Sequence, residues 1–327
     1  MIHVIATAMS GSVQDQMKVK KIKPEFSKYF SEVVLHAVDS HNEAYSKAKN
    51  LVAEGNKILI AAGGAGTINS VVRGCYESGN ISDDLRIGVI RKGSADLIGK
   101  VLNISDDLNL AIKSIVNAIE KDNYIHIDLV GVSDVDNFKY IDYFVGFGGI
   151  GVFGNIPYFT ENRFKKYYKG ILGFLFGDRG PFFVGAVLSS ITFYVSKVFK
   201  RDKSKITITI DDGKEVVGRW NSVIILNGDL GKHFPIAPGM PLDDGMFRVV
   251  LLRDRGLLKL FSQFIGCWTG KILVDKKLGR DIYDVKKIKI SPSSDDSYLV
   301  NVDGLLNEVH SSIEFKVVYK LKMYHGN

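Results

Sequence analysis

The sequence predicts two domains of different class, an α/β domain followed by a β-rich, β-sandwich-like one. Three observations carry the prediction. As far as Asp128, short apolar runs alternate with segments of helical spacing, the order of a mostly parallel sheet covered on both faces. From Tyr140 onward strand-like segments dominate, and several alternate apolar with polar residues, as half-solvated antiparallel strands do. At 327 residues the chain also exceeds one ordinary core. The expected division is 1–128 and 129–327, with the last strand, around Phe315 to Val318, able to return to either domain.

Within the first domain, Ile2 to Ala6 reads as a strand and Met9 to Ser12 as the turn after it. The lysine-rich stretch Lys18 to Lys28 reads as an exposed helix, and Val33 to Val38 as a second strand. His41 to Glu54 has helical spacing through Ala44, Ala48, Leu51 and Val52. Ile68 to Tyr76 and Leu108 to Ile119 read as further helices, and Arg86 to Ile90 as an apolar strand. In the second domain the strand-like runs are Tyr143 to Phe147, Ile206 to Ile210, Ser222 to Leu226, Phe247 to Leu252 and Ile288 to Ile290.

Composition narrows the classes. Nearly half the residues are hydrophobic, so there is ample material for two cores, and the formal charge of +7 is moderate for the length. Cys75 and Cys267 are far apart in sequence, which is neither a disulfide framework nor a metal cluster and suits a reducing cytosol. The start, Met1 to Ala6, lacks the basic and long apolar regions of a signal peptide. The seven histidines are scattered, with no pair at metal-ligand spacing. Lys18 to Lys28 is basic but carries only Phe26 as an aromatic, a poor face for nucleic acid. Basic residues do cluster around the apolar run Pro181 to Val195: Arg163, Lys165, Lys166 and Lys169 precede it, and Lys200, Arg201, Lys203 and Lys205 come after. The run is read first as a buried helix, second as a helix near a lipid surface and last as a membrane span.

The stretch richest in chemistry is Ile58-Leu59-Ile60-Ala61-Ala62-Gly63-Gly64-Ala65-Gly66-Thr67-Ile68-Asn69. Glycine has no Cβ, so backbone N–H groups can turn inward and approach a ligand closely. A buried strand, a glycine turn and a helix start make an anion site suited to phosphate. By itself a Gly-Gly turn is a weak signal, and it gains weight from four motifs later in the chain. Arg91-Lys92-Gly93-Ser94-Ala95-Asp96-Leu97 forms a second loop; Ile127-Asp128-Leu129 stands at the expected boundary; Pro238 precedes Leu242-Asp243-Asp244-Gly245; and Asp303-Gly304-Leu305 lies near the end.

In this order the set resembles the diacylglycerol kinase catalytic family, which includes bacterial lipid kinases and sphingosine kinases. Gly63 to Thr67 sits where that family has Gly-Gly-Asp-Gly-Thr, and Arg91 to Gly99 where it has a Gly-Thr-x-Asn-Asp-like loop. Pro238 and Leu242 to Gly245 match its Pro-x-x-x-Leu-Asp-Asp-Gly turn, and Asp303-Gly304 the start of its Asp-Gly-Glu. The resemblance covers nearly the whole chain. It implies a nucleotide-binding α/β domain of the NAD-kinase and diacylglycerol-kinase type, a β-sandwich domain, and an active site between them. It also implies ATP and Mg²⁺, with phosphoryl transfer to a lipid hydroxyl of the diacylglycerol or long-chain-base class. ATP would lie on Gly63, Gly64, Gly66, Thr67 and Asn69 with Gly93 and Ser94. Mg²⁺ would be held by Asp128 and the turn Leu242, Asp243 and Asp244. The partners implied are a lipid substrate at a membrane surface and, compatible with the chain, a second copy in a homodimer. A cytoplasmic, peripherally membrane-associated protein is expected.

Departures from the pattern set the second reading. The acid of the glycine turn is Ala65, that of the second loop is Leu97 beside Asp96, the late Glu is Leu305, and the family's early Asn-Pro step is Thr7-Ala8. Asp96 or Asp303 would have to do the work of the missing base. Arg91 and Lys92 are basic groups at the rim, solvated or touching phosphate. The Asp-Asp-Gly turn and Asp303-Gly304 also read as plain turns whose carboxylates cap backbone N–H groups. Three functions therefore stand: an ATP-dependent lipid kinase, a silent relative that binds nucleotide or lipid in a regulatory role, or a kinase of a different acceptor, since the second domain sets the substrate. The surviving Thr67 and Asp-Asp-Gly turn tip the reading to the first.

Overall fold

The computed structural model describes residues 1–7, 13–91, 97–161, 180–198, 204–211, 213–232, 234–293 and 297–326. They divide into two compact units, Met1–Ile127 with Lys320–Asn327, and Asp128–Tyr319.

The first unit runs β1 (Ile2–Thr7), α1 (Val13–Phe26), β2 (Val33–Val38), α2 (His41–Ala53), β3 (Ile58–Gly63), α3 (Ala65–Glu77), β4 (Arg86–Arg91), α4 (Leu97–Val101) and α5 (Leu108–Glu120), and ends in the first residues of β5 (Tyr124–Asp134). The strands are parallel. β1 lies between β2 and β3, in register from Ile2 opposite Val33, and β4 adds beyond β3 with Ile58 opposite Arg86 and Gly63 opposite Arg91. Strand residues such as Val4, Ile5, Leu59, Ile60 and Val89 are fully buried, the continuous apolar reading of a sheet covered on both faces. Helix α2 starts where Ser40 Oγ accepts the Glu43 N–H (3.0 Å), a side-chain cap on an otherwise orphaned donor. The lysine-rich helix is amphipathic rather than exposed throughout. Ile22 and Phe26, four apart on one face, are buried while Lys20, Lys21 and Lys23 stay in water.

The second unit continues with β6 (Lys139–Phe144), β7 (Phe147–Gly151), α6 (Val152–Glu161), α7 (Gly180–Val198), β8 (Lys205–Ile210), β9 (Lys214–Leu226), β10 (Phe247–Arg253), α8 (Leu257–Thr269), α9 (Lys271–Val274), a 3₁₀ turn at Lys276–Leu278, β11 (Arg280–Val285), β12 (Lys287–Pro292), β13 (Tyr298–Val302), β14 (Leu305–Val309) and β15 (Ile313–Tyr324). Strand β9 serves two sheets. Its first half pairs antiparallel with β8, and β8 in turn with β12, then β15. Its second half, Ser222 to Leu226, pairs with β7 on one side and β10 on the other, and β7 continues to β13 and β14. The two sheets share one core: Ile206, Ile208, Ile288, Ile290 and Phe315 from the first, and Val223, Ile225, Val249, Leu251 and Val300 from the second. That is a sandwich whose inner faces interdigitate.

Two expectations are corrected. The strand read through Tyr143 to Phe147 is broken into β6 and β7 at Val145-Gly146, because those backbone N–H groups turn away to the Asp303 carboxylate. The run Pro181 to Val195 is helical, as α7, yet not buried all round, for Ile191 and Val195 face water. The turn read at Met9 to Ser12 and the basic residues Arg163 to Lys169 and Lys200 to Lys203 lie outside the described residues. Among the described residues no helix is long and apolar enough to cross a membrane.

Candidate functional site

The glycine turn of the first unit is built by close approach. A Cβ at Gly63 would lie 2.3 Å from Thr67 Oγ1 and 2.8 Å from Thr7 Oγ1, so only glycine lets β3 pass into the helix here. Gly64 is the N-cap of α3, in extended conformation, and its carbonyl accepts the Thr67 and Ile68 N–H groups (3.0 and 3.2 Å). The helix thus begins at Ala65, three residues ahead of the sequence reading, and Gly66 and Thr67 belong to its first turn. The leading amides of a helix have no partner inside it, and with the helix dipole they favour an anion. The turn sits at the carboxyl end of a parallel strand, where α/β sheets bind ligands.

Thr67 is buried, and its hydroxyl pairs with that of Thr7 at 2.6 Å. The pair ties the end of β1 to the start of α3. Asn69 is buried one turn further along α3. Thr7 stands where the resemblance places the Asn of an Asn-Pro step, but its pairing with Thr67 was not legible; sixty positions separate the partners, and no spacing rule links them. Gly93, Ser94, Asp96 and Lys92 lie outside the described residues. Arg91 ends β4 but is no solvated rim charge. It is 92% buried, its Nη1 donates to Ile104 O (3.0 Å), and its Nη2 lies 2.9 Å from Asp106.

In the second unit the carboxylates hold backbone. Asp128 is buried; its N–H donates to Leu242 O (2.7 Å), its Oδ2 accepts the Gly245 N–H (2.6 Å), and its carbonyl accepts Asn227 Nδ2 (2.6 Å). The Leu242–Gly245 turn is thereby stitched to Asp128. Asp244 caps the Met246 N–H at 3.0 Å, the turn role written into that residue type, and Asp243 is half-buried beside it. Asn227 is wholly buried and also donates to Val145 O (3.0 Å). Asp229 accepts from Gly231 and Gly239 (2.8 Å each), closing the loop that precedes the turn. Sequence reasoning gave Asn227 and Asp229 no role, although their Asn-Gly-Asp order was an available signal for a built turn.

Asp303 and Gly304 are the two-residue link of the β13–β14 hairpin, flanked by the Val302 and Leu305 pair. Both have positive φ, 46° and 89°, as the hairpin turn requires. The Asp303 carboxylate reaches across to Val145, Gly146 and Phe147, whose N–H groups donate at 3.0, 3.2 and 2.8 Å. This grip splits β6 from β7. Leu305 is half-buried at the start of β14, as are Ala65 at the start of α3 and Leu97 at the start of α4. Cys75 and Cys267 are free and buried, and burial pushes both thiols up to about 12; neither is a nucleophile near neutral pH.

Among the described residues no group of three His, Cys, Asp or Glu side chains is placed to hold a metal ion. A water-rich Mg²⁺ needs only one or two carboxylates, but Asp128 and Asp244 already spend oxygens on backbone amides.

The comparison that decides the relationship is a match of residues 1–127 to the family model described as the diacylglycerol kinase catalytic domain. On that match, residues 1–127 belong to the diacylglycerol kinase catalytic family. The chain is 24% identical over 306 residues to the diacylglycerol kinase of Staphylococcus aureus (strain bovine RF122 / ET3-1), which covers 92% of this chain and 85% of that protein. It is 25% identical over 277 residues to that of strain JH9, covering 84% and 76%. Its fold is similar to a crystal structure of a diacylglycerol kinase from Bacillus anthracis str. Sterne, with a TM-score of 0.64, 16% identity, and 99% and 97% of the two chains covered.

Proposed function

We propose that the protein is an ATP-dependent lipid kinase that passes the γ-phosphoryl group to a hydroxyl of a diacylglycerol-like or long-chain-base lipid. The observation that carries this reading is the Gly63 turn, where a side chain is sterically barred and the amides of α3 are presented. In the reaction the lipid oxygen forms a bond to the γ-phosphorus, the bond to the ADP oxygen breaks, and the hydroxyl proton passes to water. Phosphoryl transfer relies mostly on positioning and electrostatics. A chain with Leu305 at the base position is therefore slowed, by ~10²–10⁴-fold for one positioned base, rather than silenced outright. The family's use of ATP with a divalent ion is the reason to supply Mg·ATP in the assay.

The acceptor's phase is supported by the outer stripe of α8. Leu258, Ser262, Ile265 and Thr269 all face water, Leu258 at 85% exposure. The two hydroxyls turn back to their own helix, Ser262 to Leu258 O and Thr269 to Ile265 O (3.2 and 2.9 Å). Thr192 on α7 does the same, to Leu188 O (3.0 Å). The stripe is apolar in effect, with Lys259, Lys271, Lys276 and Lys277 nearby in sequence. Apolar faces with lysine flanks suit an anionic lipid surface.

A second reading has its own observation. The Asp303 carboxylate is committed to three backbone donors, which favours a silent relative that binds nucleotide or lipid. The test is transfer of labelled phosphate from Mg·ATP to a mixed lipid extract by the purified chain. A labelled, Mg·ATP-dependent lipid product supports the kinase. ATP binding without product supports the silent relative.

A further inference from the structure

The first unit holds a cavity outside the glycine turn. It has a volume of about 510 Å³ and lies beside the carboxyl end of β4, walled by the α4–α5 connection and one face of α5. None of Gly63, Gly64, Gly66 or Thr67 is among its described lining residues. Arg91, Lys100 and Lys113 bring three cations to its wall, and Ser105, Ser114 and Asn117 bring neutral donors. Lys113, Ser114 and Asn117 fall at helical spacing, so one face of α5 presents all three.

Two of these groups are left wanting a partner. Arg91 is 92% buried, yet its Nε has no hydrogen-bond partner among the described residues, and neither does the buried Ser114 Oγ. A buried donor without a partner costs free energy, and both atoms belong to residues that line the cavity. Asp106 offsets one charge through its 2.9 Å pair with Arg91, which leaves the wall with a surplus of two positive charges. The wall is also fixed in place. Gly326 N–H donates to Leu102 O (2.8 Å), its carbonyl accepts Asn103 Nδ2 (3.0 Å), and a Cβ on Gly326 would come within 2.4 Å of Ser114 Oγ. The volume falls in the range of small-ligand sites, and convergent cations with hydroxyl and amide donors match the oxygens of a phosphate.

We propose that this cavity is a second anion site, which binds a phosphate monoester through Arg91, Lys100, Lys113 and Ser114, separately from the glycine turn. The phosphate comes from a soluble metabolite or from a lipid headgroup, and the experiment separates the two. Calorimetry on the full chain uses glycerol 3-phosphate in one arm and vesicles of phosphatidylcholine with phosphatidic acid in the other. One saturable site is expected in at least one arm: binding of glycerol 3-phosphate assigns a soluble ligand, and binding of the vesicles alone assigns a headgroup. Lys100→Ala and Lys113→Ala each weaken it about tenfold, the size of a lost hydrogen bond to a charged group. Ser114→Ala also weakens it with charge unchanged, which separates a seated phosphate from general attraction to basic residues. Lys100 and Lys113 reach solvent, so their variants keep the fold, which thermal melting verifies. Gly63→Ala leaves this binding intact even where it removes ATP. Absence of saturable binding in both arms overturns the proposal. So does native-like affinity in the lysine variants, or loss of binding in Gly63→Ala.

Discussion

The glycine turn of the first unit and the carboxylate cluster of the second are built in opposite ways. The first is made of backbone: Gly63 by the absence of a side chain, Gly64 as a cap, and the leading amides of α3 as donors. The second is made of side chains, but those side chains serve backbone. Asp128 grips Gly245, and Asp303 grips Val145, Gly146 and Phe147. A site made of backbone tolerates Ala65, because the amide at 65 is the same whatever the side chain. A chemical role carried by a side chain at 305 does not tolerate leucine. The contrast predicts a nucleotide cradle that survives in a chain whose catalytic rate has fallen.

The sharpest way to test that contrast is to restore the side chains alone. An Ala65→Asp, Leu305→Glu double variant should raise the transfer rate by ~10²–10⁴-fold while ATP affinity changes little. Rates equal to the native chain would show that another group already does the base's work. Next in size is Asp303→Ala, which strands three backbone donors. At ~1–3 kcal/mol for each buried unsatisfied group, urea unfolding should show a loss of about 3 kcal/mol or more, with Asp303→Asn losing less. A neutral result would mean that those amides find other partners and that the carboxylate is free for chemistry.

The apolar stripe gives a smaller effect at the second unit's surface. Leu258→Glu with Ile265→Glu should weaken sedimentation with anionic vesicles by roughly tenfold or more, since each large apolar side chain is worth ~1.5–3 kcal/mol when buried, and should leave transfer to short-chain, soluble lipid unchanged. Undiminished vesicle binding would move the membrane contact elsewhere.

The smallest effect is one of pH and concerns the first unit alone. His36 on β2 stacks on His3 of β1, their ring nitrogens 3.1 Å apart. Burial, then the Lys47 charge and His3, hold its pKa below the usual value, and burial does the same for His41. With the folded value depressed, the unfolded chain takes up a proton first as pH falls through about 6.5, so stability drops there and levels off below the folded pKa. The melting temperature should be lower at pH 5.5 than at pH 7.5, and His36→Gln should shrink that difference. An unchanged difference in the variant would place the sensitivity in other groups.

Legibility in the sequence divides along the same line. The Gly63-Gly64 turn and the Asp303-Gly304 hairpin were readable because glycine and aspartate are there for local backbone reasons. The parallel sheet was readable from buried runs such as Ile58 to Ala62. The Asp303 grip was not, because its partners are amides that carry no residue identity, and so the break between β6 and β7 was missed. The Thr7–Thr67 pair and the buried role of Arg91 depend on contacts between distant positions. The double service of β9 was hidden because one alternating run says nothing about which neighbour each half will have. Helix α8 was passed over although glycines bracket it, Gly256 and Gly270, each at positive φ.

The central claim is that Gly63 to Thr67 forms a phosphate cradle out of backbone. Calorimetry of Mg·ATP binding to the native chain and to Gly63→Ala tests it most directly. The account predicts one saturable site in the native chain and its loss in a variant that remains folded by circular dichroism. Binding unaffected by the added methyl group, or no binding by the native chain, would contradict it.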